Sequence, residues 1–199
     1  MTTPGGPLPG RPPATSHAAI EAAAFRLFTT QGFEETTTDE IAEAAGIGRR
    51  TLFRYFPSKN DIPWGQFDDS LEEFRRGLAQ APRSMPTWRA VHDGVVRFNT
   101  FEDAAIAQHR VRMRLILQTP SLQAHSVLMY ERWRAVIADY VASRYRCRPE
   151  SLLPRTIGHV SLALAISAYE QWLRPGNRHL TDVLSEAMTT LRDYLHDDG

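Results

Sequence analysis

The stretch Thr37-Thr38-Asp39-Glu40-Ile41-Ala42-Glu43-Ala44-Ala45-Gly46-Ile47-Gly48-Arg49-Arg50-Thr51-Leu52-Phe53-Arg54-Tyr55-Phe56-Pro57-Ser58-Lys59 decides the fold. Ile41, Ala42 and Ala45 stripe a short helix, and Thr37 with Glu40 three residues on has the capping-box spacing that opens one. Gly46-Ile47-Gly48 predicts a tight turn, and a further helix runs from Arg49 to Phe56 and stops at Pro57. Two short helices joined by a glycine turn form a helix-turn-helix, whose second helix enters the major groove by its N-terminal end.

The composition of that second helix fits the task. Its i,i+4 pairs are Arg49/Phe53, Arg50/Arg54, Thr51/Tyr55 and Leu52/Phe56, and only the last suits a core. Arg49 or Arg50 can bond guanine O6 and N7 bidentately, and Phe53 can touch a thymine methyl. Thr38, Thr51, Tyr55 and Lys59 supply hydroxyls and a cation of the kind that fix register on phosphates; with Thr37 they complete the candidate DNA-contacting set.

Working outward, apolar spacing is helical almost everywhere. Ile20, Ala24, Leu27 and Phe28 mark a helix ending at Gly32. Downstream, Phe67 to Leu78 and Trp88 to Phe98 carry helical stripes, Val111 to Leu117 reads as a short helix closed by Pro120, and Met129 to Val141 stripes a long one. Between Pro154 and Leu173 the apolar positions nearly ring the helix, and between Leu180 and Leu195 the stripe is wider than one core face needs. Such a terminal pair is expected to be buried on two sides, the second against a partner chain. No stretch alternates with period two for long enough to be a strand, so the fold class is all-α. The expected organisation is a flexible Pro/Gly arm over 1–14, a helix-turn-helix domain over 15–60 and a helical domain over 61–199. Arg11 of the arm is a candidate for minor-groove contact.

Charge sharpens this picture. The chain of 199 residues is formally neutral, yet its basic residues are 22 arginines and the single lysine, Lys59. Residues 1–66 carry −1, 67–108 carry −2, 109–155 carry +6 and 156–199 carry −3, while 44–60 holds four cations and no acid. With 42% hydrophobic and 23% charged residues, wholesale disorder is excluded. Cys147 is the only cysteine, so the chain cannot close an internal disulfide or a cysteine zinc cluster. The seven histidines are scattered with no metal-binding spacing, so no metal or cofactor is called for. The uncharged run Thr156 to Tyr169 has 14 residues, too few for a membrane span of about 20. A cytoplasmic protein without membrane contact is expected.

The residues Thr37-Thr38, Ile41-Ala42, Ala45-Gly46-Ile47, Thr51-Leu52-Phe53, Tyr55-Phe56 and Ser58-Lys59 resemble the N-terminal signature of TetR-type bacterial transcriptional regulators. The likeness reaches back through Leu27-Phe28 and Gly32-Phe33, about a quarter of the chain in all. Phe53 departs from it, standing where the family often has tyrosine, and so lacks one hydroxyl for phosphate. The run from Arg49 to Arg76 is similar to the subgroup encoded with mycofactocin biosynthesis genes. The resemblance implies a homodimer joined through its last two helices, a palindromic double-stranded operator, and an effector cavity among the middle helices. Its Lys59 equivalent implies a phosphate contact.

For that cavity the middle helices offer Trp88, Phe98, Met113, Met129 and Trp133, with Arg110 and Arg114. Five arginines at 110, 112, 114, 132 and 134 are opposed only by Glu131, and such a group can clamp an anionic headgroup above an apolar pocket. An amphipathic anion such as an acyl-CoA is the expected effector; the alternative is that the arginines form a solvated basic face that also helps hold DNA. Rival readings are an architectural DNA-binding protein without an effector and a helical enzyme using the arginine-rich segment; no carboxylate cluster accompanies those arginines to hold a metal.

Overall fold

The structure is a computed structural model that describes residues 16–65, 67–176 and 178–196. Among them are nine α-helices and no strand. The chain divides into two compact units at Gly65. The arm 1–14, and Arg11 with it, lies outside the described residues.

The first unit holds α1 (His17–Gln31), α2 (Thr38–Ala44) and α3 (Arg49–Tyr55). Helix α1 opens where Ser16 accepts the Ala19 amide and closes at Gly32, whose φ of 89° is left-handed. Helix α2 begins with the expected reciprocal capping box between Thr37 and Glu40. The turn after it needs φ of 66° at Gly46, and the Ile47 amide then reaches back to the Ala42 carbonyl at 2.9 Å. Helix α3 ends at Phe56, held extended by the proline that follows. A 3-10 turn, Lys59–Trp64, comes next and buries Ile62 and Pro63. This turn belongs to the first unit, so the boundary expected after residue 60 falls after 65 instead. Ile20, Phe28, Ile41, Leu52, Phe56 and Ile62 form the core, placing Leu52 and Phe56 inward as their spacing requires.

The second unit contains α4 (Phe67–Ala79), α5 (Thr87–Phe98), α6 (Asp103–Gln118), α7 (Pro120–Tyr145), α8 (Leu152–Trp172) and α9 (Leu180–Leu195). Two boundaries differ from those expected. Helix α6 starts at Asp103, well before Val111, because its first turns are alanine-rich and polar and show no stripe. Pro120, expected as a stop, is instead the first residue of the 26-residue α7; proline suits that position because its missing amide would have no intrahelical partner.

The core of this unit joins Leu71, Phe74 and Leu78 of α4, Val91 and Val95 of α5, and Trp133, Val136 and Ile137 of α7 to the inner faces of α8 and α9. Glycine lets two helix pairs approach closely. A Cβ at Gly158 of α8 would lie 3.0 Å from the Arg134 carbonyl of α7, and one at Gly94 of α5 would lie 2.7 Å from Leu78 Cδ2 of α4 and 3.1 Å from the Phe74 ring. Val183 and Leu184 of α9 are buried, whereas Tyr194 and Leu195 at its far end are exposed. An apolar groove of about 440 Å³ runs between α8 and α9, lined by Leu164, Ala168, Val183, Ala187, Leu191 and Tyr194 among others.

Leu78 is fully buried and cannot swing aside. Gly94→Ala is therefore expected to lower stability by about 1–3 kcal/mol through overpacking, outweighing alanine's helix preference. Chemical denaturation measures it; a loss under about 0.5 kcal/mol would mean that α4 and α5 separate freely.

Candidate nucleic-acid interface

Helix α3 presents Arg49, Arg50, Phe53 and Arg54 to solvent, with Phe53 38% exposed although apolar. The inward Leu52/Phe56 face fixes this outcome, because residues one and two positions away on a helix must point elsewhere. The Arg49 guanidinium bonds Asp39 Oδ2 of α2 at 3.1 Å and lies 5.5 Å over the Phe53 ring. Arg54 lies 5.6 Å over the Tyr55 ring. Thr51 and Tyr55 are half-buried, and His17 of α1 meets Tyr55 edge-on at 4.8 Å. With no acid between 44 and 60, the face is cationic and carries one apolar plate.

Two candidate contacts are already occupied. The Thr37 hydroxyl donates to Glu40 Oε2 at 2.8 Å and accepts the Glu40 amide at 3.2 Å, so its proton serves the helix cap; Thr38 beside it is half-buried. The backbone amide and hydroxyl of Thr37 together hold the Glu40 carboxyl below its usual range. Lys59, the expected phosphate contact, is the second. Its Nζ donates to the carbonyls of Phe33 at 2.8 Å, Thr36 at 2.9 Å and Glu34 at 3.2 Å, and sits 4.5 Å from the Phe33 ring centroid. An ammonium has three donors, and all three are engaged with the loop between α1 and α2. A signature position identifies the residue, not the direction in which its ammonium points.

In the second unit, Phe98, Met113 and Trp133 pack against one core, where Phe98 and Trp133 meet Phe74 at 5.2 and 5.5 Å. Trp88 does not join them. It lies on the first turn of α5, 54% exposed, with Arg192 of α9 5.9 Å over its ring. Nor do the arginines form one clamp. Arg110 donates to the Trp172 carbonyl at the end of α8 at 2.7 Å and stacks 4.1 Å over the Trp172 ring; Arg132 pairs with Asp68 of α4; Arg134 approaches His159 of α8 at 3.3 Å. Arg114 is exposed and Met129 half-buried, its sulfur 3.9 Å from Arg132. Arg144, near the end of α7, donates to the carbonyls of Arg83 and Met85 between α4 and α5 at 3.0 and 2.6 Å.

A buried polar relay escaped the sequence reading. Asn99, at the end of α5, donates through Nδ2 to the Val95 carbonyl at 2.8 Å, which turns its Oδ1 toward Tyr169 of α8. The Tyr169 hydroxyl donates to that oxygen at 2.5 Å and therefore accepts from His109 Nε2 of α6 at 2.9 Å. This order requires neutral His109 protonated on Nε2. Burial, with Arg112 nearby, pushes the His109 pKa down to about 3, and burial pushes that of Tyr169 well up, so both stay neutral. The available signal was spacing: His109, Met113 and Ile116 share one helix face.

Two short helices about a glycine turn, with the second presenting an acid-free cationic face, define a helix-turn-helix DNA-binding protein. Residues 20–62 match the family described as bacterial regulatory proteins, tetR family, and residues 85–196 match the MftR C-terminal domain. A Mycobacterium tuberculosis protein that carries the name mycofactocin biosynthesis transcriptional regulator MftR is 43% identical over 89% of this chain and 90% of its own. The regulator EthR of Mycolicibacterium smegmatis is 30% identical over 83% of this chain and 76% of its own. Among solved structures, the fatty acid degradation regulator FadR from Bacillus halodurans aligns with a TM-score of 0.66 at 15% identity, covering 88% of this chain and 97% of its own. Thermus thermophilus FadR, solved with lauroyl-CoA, aligns at 0.55 and 23% identity over 89% and 93%. At those identities the likeness is one of fold. The chain belongs to the TetR family of transcriptional regulators, and its larger domain is of the MftR type.

Lys59→Met is expected to lower stability by about 1–3 kcal/mol, since it strips a charged donor from three carbonyls. The salt dependence of DNA binding should stay as it was, whereas loss of a phosphate contact would flatten the log–log slope by about one unit. Denaturation and binding titrations at several salt concentrations separate the two. For His109 the folded pKa lies below the unfolded one, so the unfolded chain takes up the proton first. Its contribution is complete above pH 6.5 and lost as pH falls toward about 3, at up to about 1.4 kcal/mol per pH unit. Denaturation curves of wild type and His109→Gln should therefore diverge at neutral pH and converge on acidification; parallel curves would show that His109 protonates in place.

Proposed function

We propose that the protein is a homodimeric repressor that binds a palindromic operator through α3 and leaves it when an amphipathic effector, such as an acyl-CoA, occupies the second unit. The observation that carries this reading is the exposed face of Arg49, Arg50, Phe53 and Arg54 on a helix-turn-helix. Arg49 or Arg50 would read guanine and Phe53 a thymine methyl, while Thr38, Thr51 and Tyr55 would fix the phosphates. The groove between α8 and α9, with Tyr194 and Leu195 uncovered beside it, supports dimerisation through these helices. Two α3 helices must then lie about 34–36 Å apart to meet successive major grooves.

Family membership and the lauroyl-CoA held by one structural neighbour support the effector class. Its anionic part would fall to the exposed Arg114 of α6, while Arg110, Arg132 and Arg134 engage Trp172, Asp68 and His159. Phe98, Met113, Met129 and Trp133 would supply apolar contacts. Likeness to the mycofactocin-named relative supports control of mycofactocin biosynthesis genes. An effector lowers operator affinity only by its differential affinity for the wrongly spaced dimer.

A gel shift against DNA upstream of the protein's own gene tests the whole. A retarded band of dimer stoichiometry, released by a long-chain acyl-CoA and not by free coenzyme A, is expected. Retardation insensitive to acyl-CoAs and fatty acids would remove the effector class, and no retardation would remove the operator.

A further inference from the structure

Arg49 and Arg50 stand side by side at the start of α3 and are chemically equivalent in sequence, but the structure treats them differently. The Arg49 guanidinium is held from two directions: Asp39 of α2 takes its Nη1 at 3.1 Å, and Phe53, one turn on, lies under it at 5.5 Å. The side chains of Arg49 and Asp39 are 61% and 65% exposed. A pair so open to water adds little to stability, about 0–1 kcal/mol. What it fixes is direction, because the long arginine side chain otherwise samples many rotamers. One carboxylate oxygen engages one edge of a guanidinium that carries five N–H donors. The remaining edge is left to make the paired contact that guanine O6 and N7 require.

We propose that Asp39 is a positioning residue, orienting Arg49 for guanine readout and so setting sequence preference while making no base contact itself. The proposal rests on α3 being the recognition helix. The location of Asp39 is informative electrostatically as well. An acid on a surface that meets a polyanion weakens binding to every sequence alike, while a preoriented Arg49 strengthens binding only where guanine is present. Both effects raise the ratio of specific to non-specific affinity.

The test uses the full-length protein and the duplex it enriches from a randomised pool, together with duplexes altered at each base pair of a half-site. Arg49→Ala should flatten the preference at one base pair per half-site by about fivefold or more. Asp39→Ala should flatten the same base pair by about two- to fivefold, the range of an exposed pair. The double variant should be no worse than Arg49→Ala alone, the mark of residues acting through one another. Asp39→Asn, which keeps the size and an acceptor oxygen, should fall between wild type and Asp39→Ala, and thermal melts establish that each variant is folded. Asp39→Ala that tightens binding to all duplexes equally with preference unchanged would show plain charge removal and overturn the positioning role, as would flattening at a different base pair or strictly additive losses. A wild-type protein that enriches no sequence overturns the recognition-helix reading and the positioning role with it.

Discussion

The ammonium of Lys59 joins the end of the first unit to its beginning. Helix α1 stops at Gly32, and the chain that follows turns the carbonyls of Phe33, Glu34 and Thr36 inward without helical partners. A compact tetrahedral cation meets three convergent carbonyls in a way that the planar fork of arginine does not. In a chain that otherwise uses arginine throughout, this is a physical reason for lysine here. The consequences run forward along the sequence. With residues 33–36 held, Thr37 is in place to cap α2; with α2 placed, Asp39 reaches Arg49 across the turn. The placing of α2 against α3 therefore depends on a residue outside both helices.

The arginines of the second unit follow related logic at larger scale. Arg144 holds the connection between α4 and α5 through its carbonyls, and Arg110 closes the carbonyl end of α8 while covering Trp172. Cations suit such places because helix C-termini and turns leave carbonyl oxygens pointing outward, a concentration of negative partial charge. Two of the nine arginines in the basic segment 109–155 are thus committed to backbone oxygens. The relay from His109 through Tyr169 to Asn99 complements this. It ties α5, α6 and α8 together with three neutral groups, so it adds specificity to an apolar core without burying a charge.

The helix-turn-helix was legible because its information is local. A capping box, a turn glycine and an i,i+4 apolar pair lie within twenty residues, and each acts over one or two turns of chain. The second unit was legible as helices but not in its joints. Pro120 carries the same residue type whether it ends one helix or begins the next, and only packing by its neighbours decides. Trp88 falls on the right stripe of α5 yet at its first turn, beyond the reach of the core, so periodicity alone misplaced it. The hydrogen bonds of Lys59 and His109 were not legible for a common reason. Their partners lie 23 or more residues away, and side-chain direction over such distances is set by tertiary closure, not by neighbours in sequence.

Formal neutrality then acquires a meaning for DNA binding. At physiological salt the Debye length is about 8 Å, so a charge summed over the whole chain says little about the approach to phosphate. What decides that approach is the local field of α3, three arginines, one of them paired with Asp39. A chain with little net charge gains little from long-range attraction, which keeps its affinity for arbitrary DNA low. Binding must therefore come from contacts at the groove, where a guanidinium held in the right direction discriminates between bases and a loose one does not. A neutral protein with a small, oriented cationic face favours selectivity over grip.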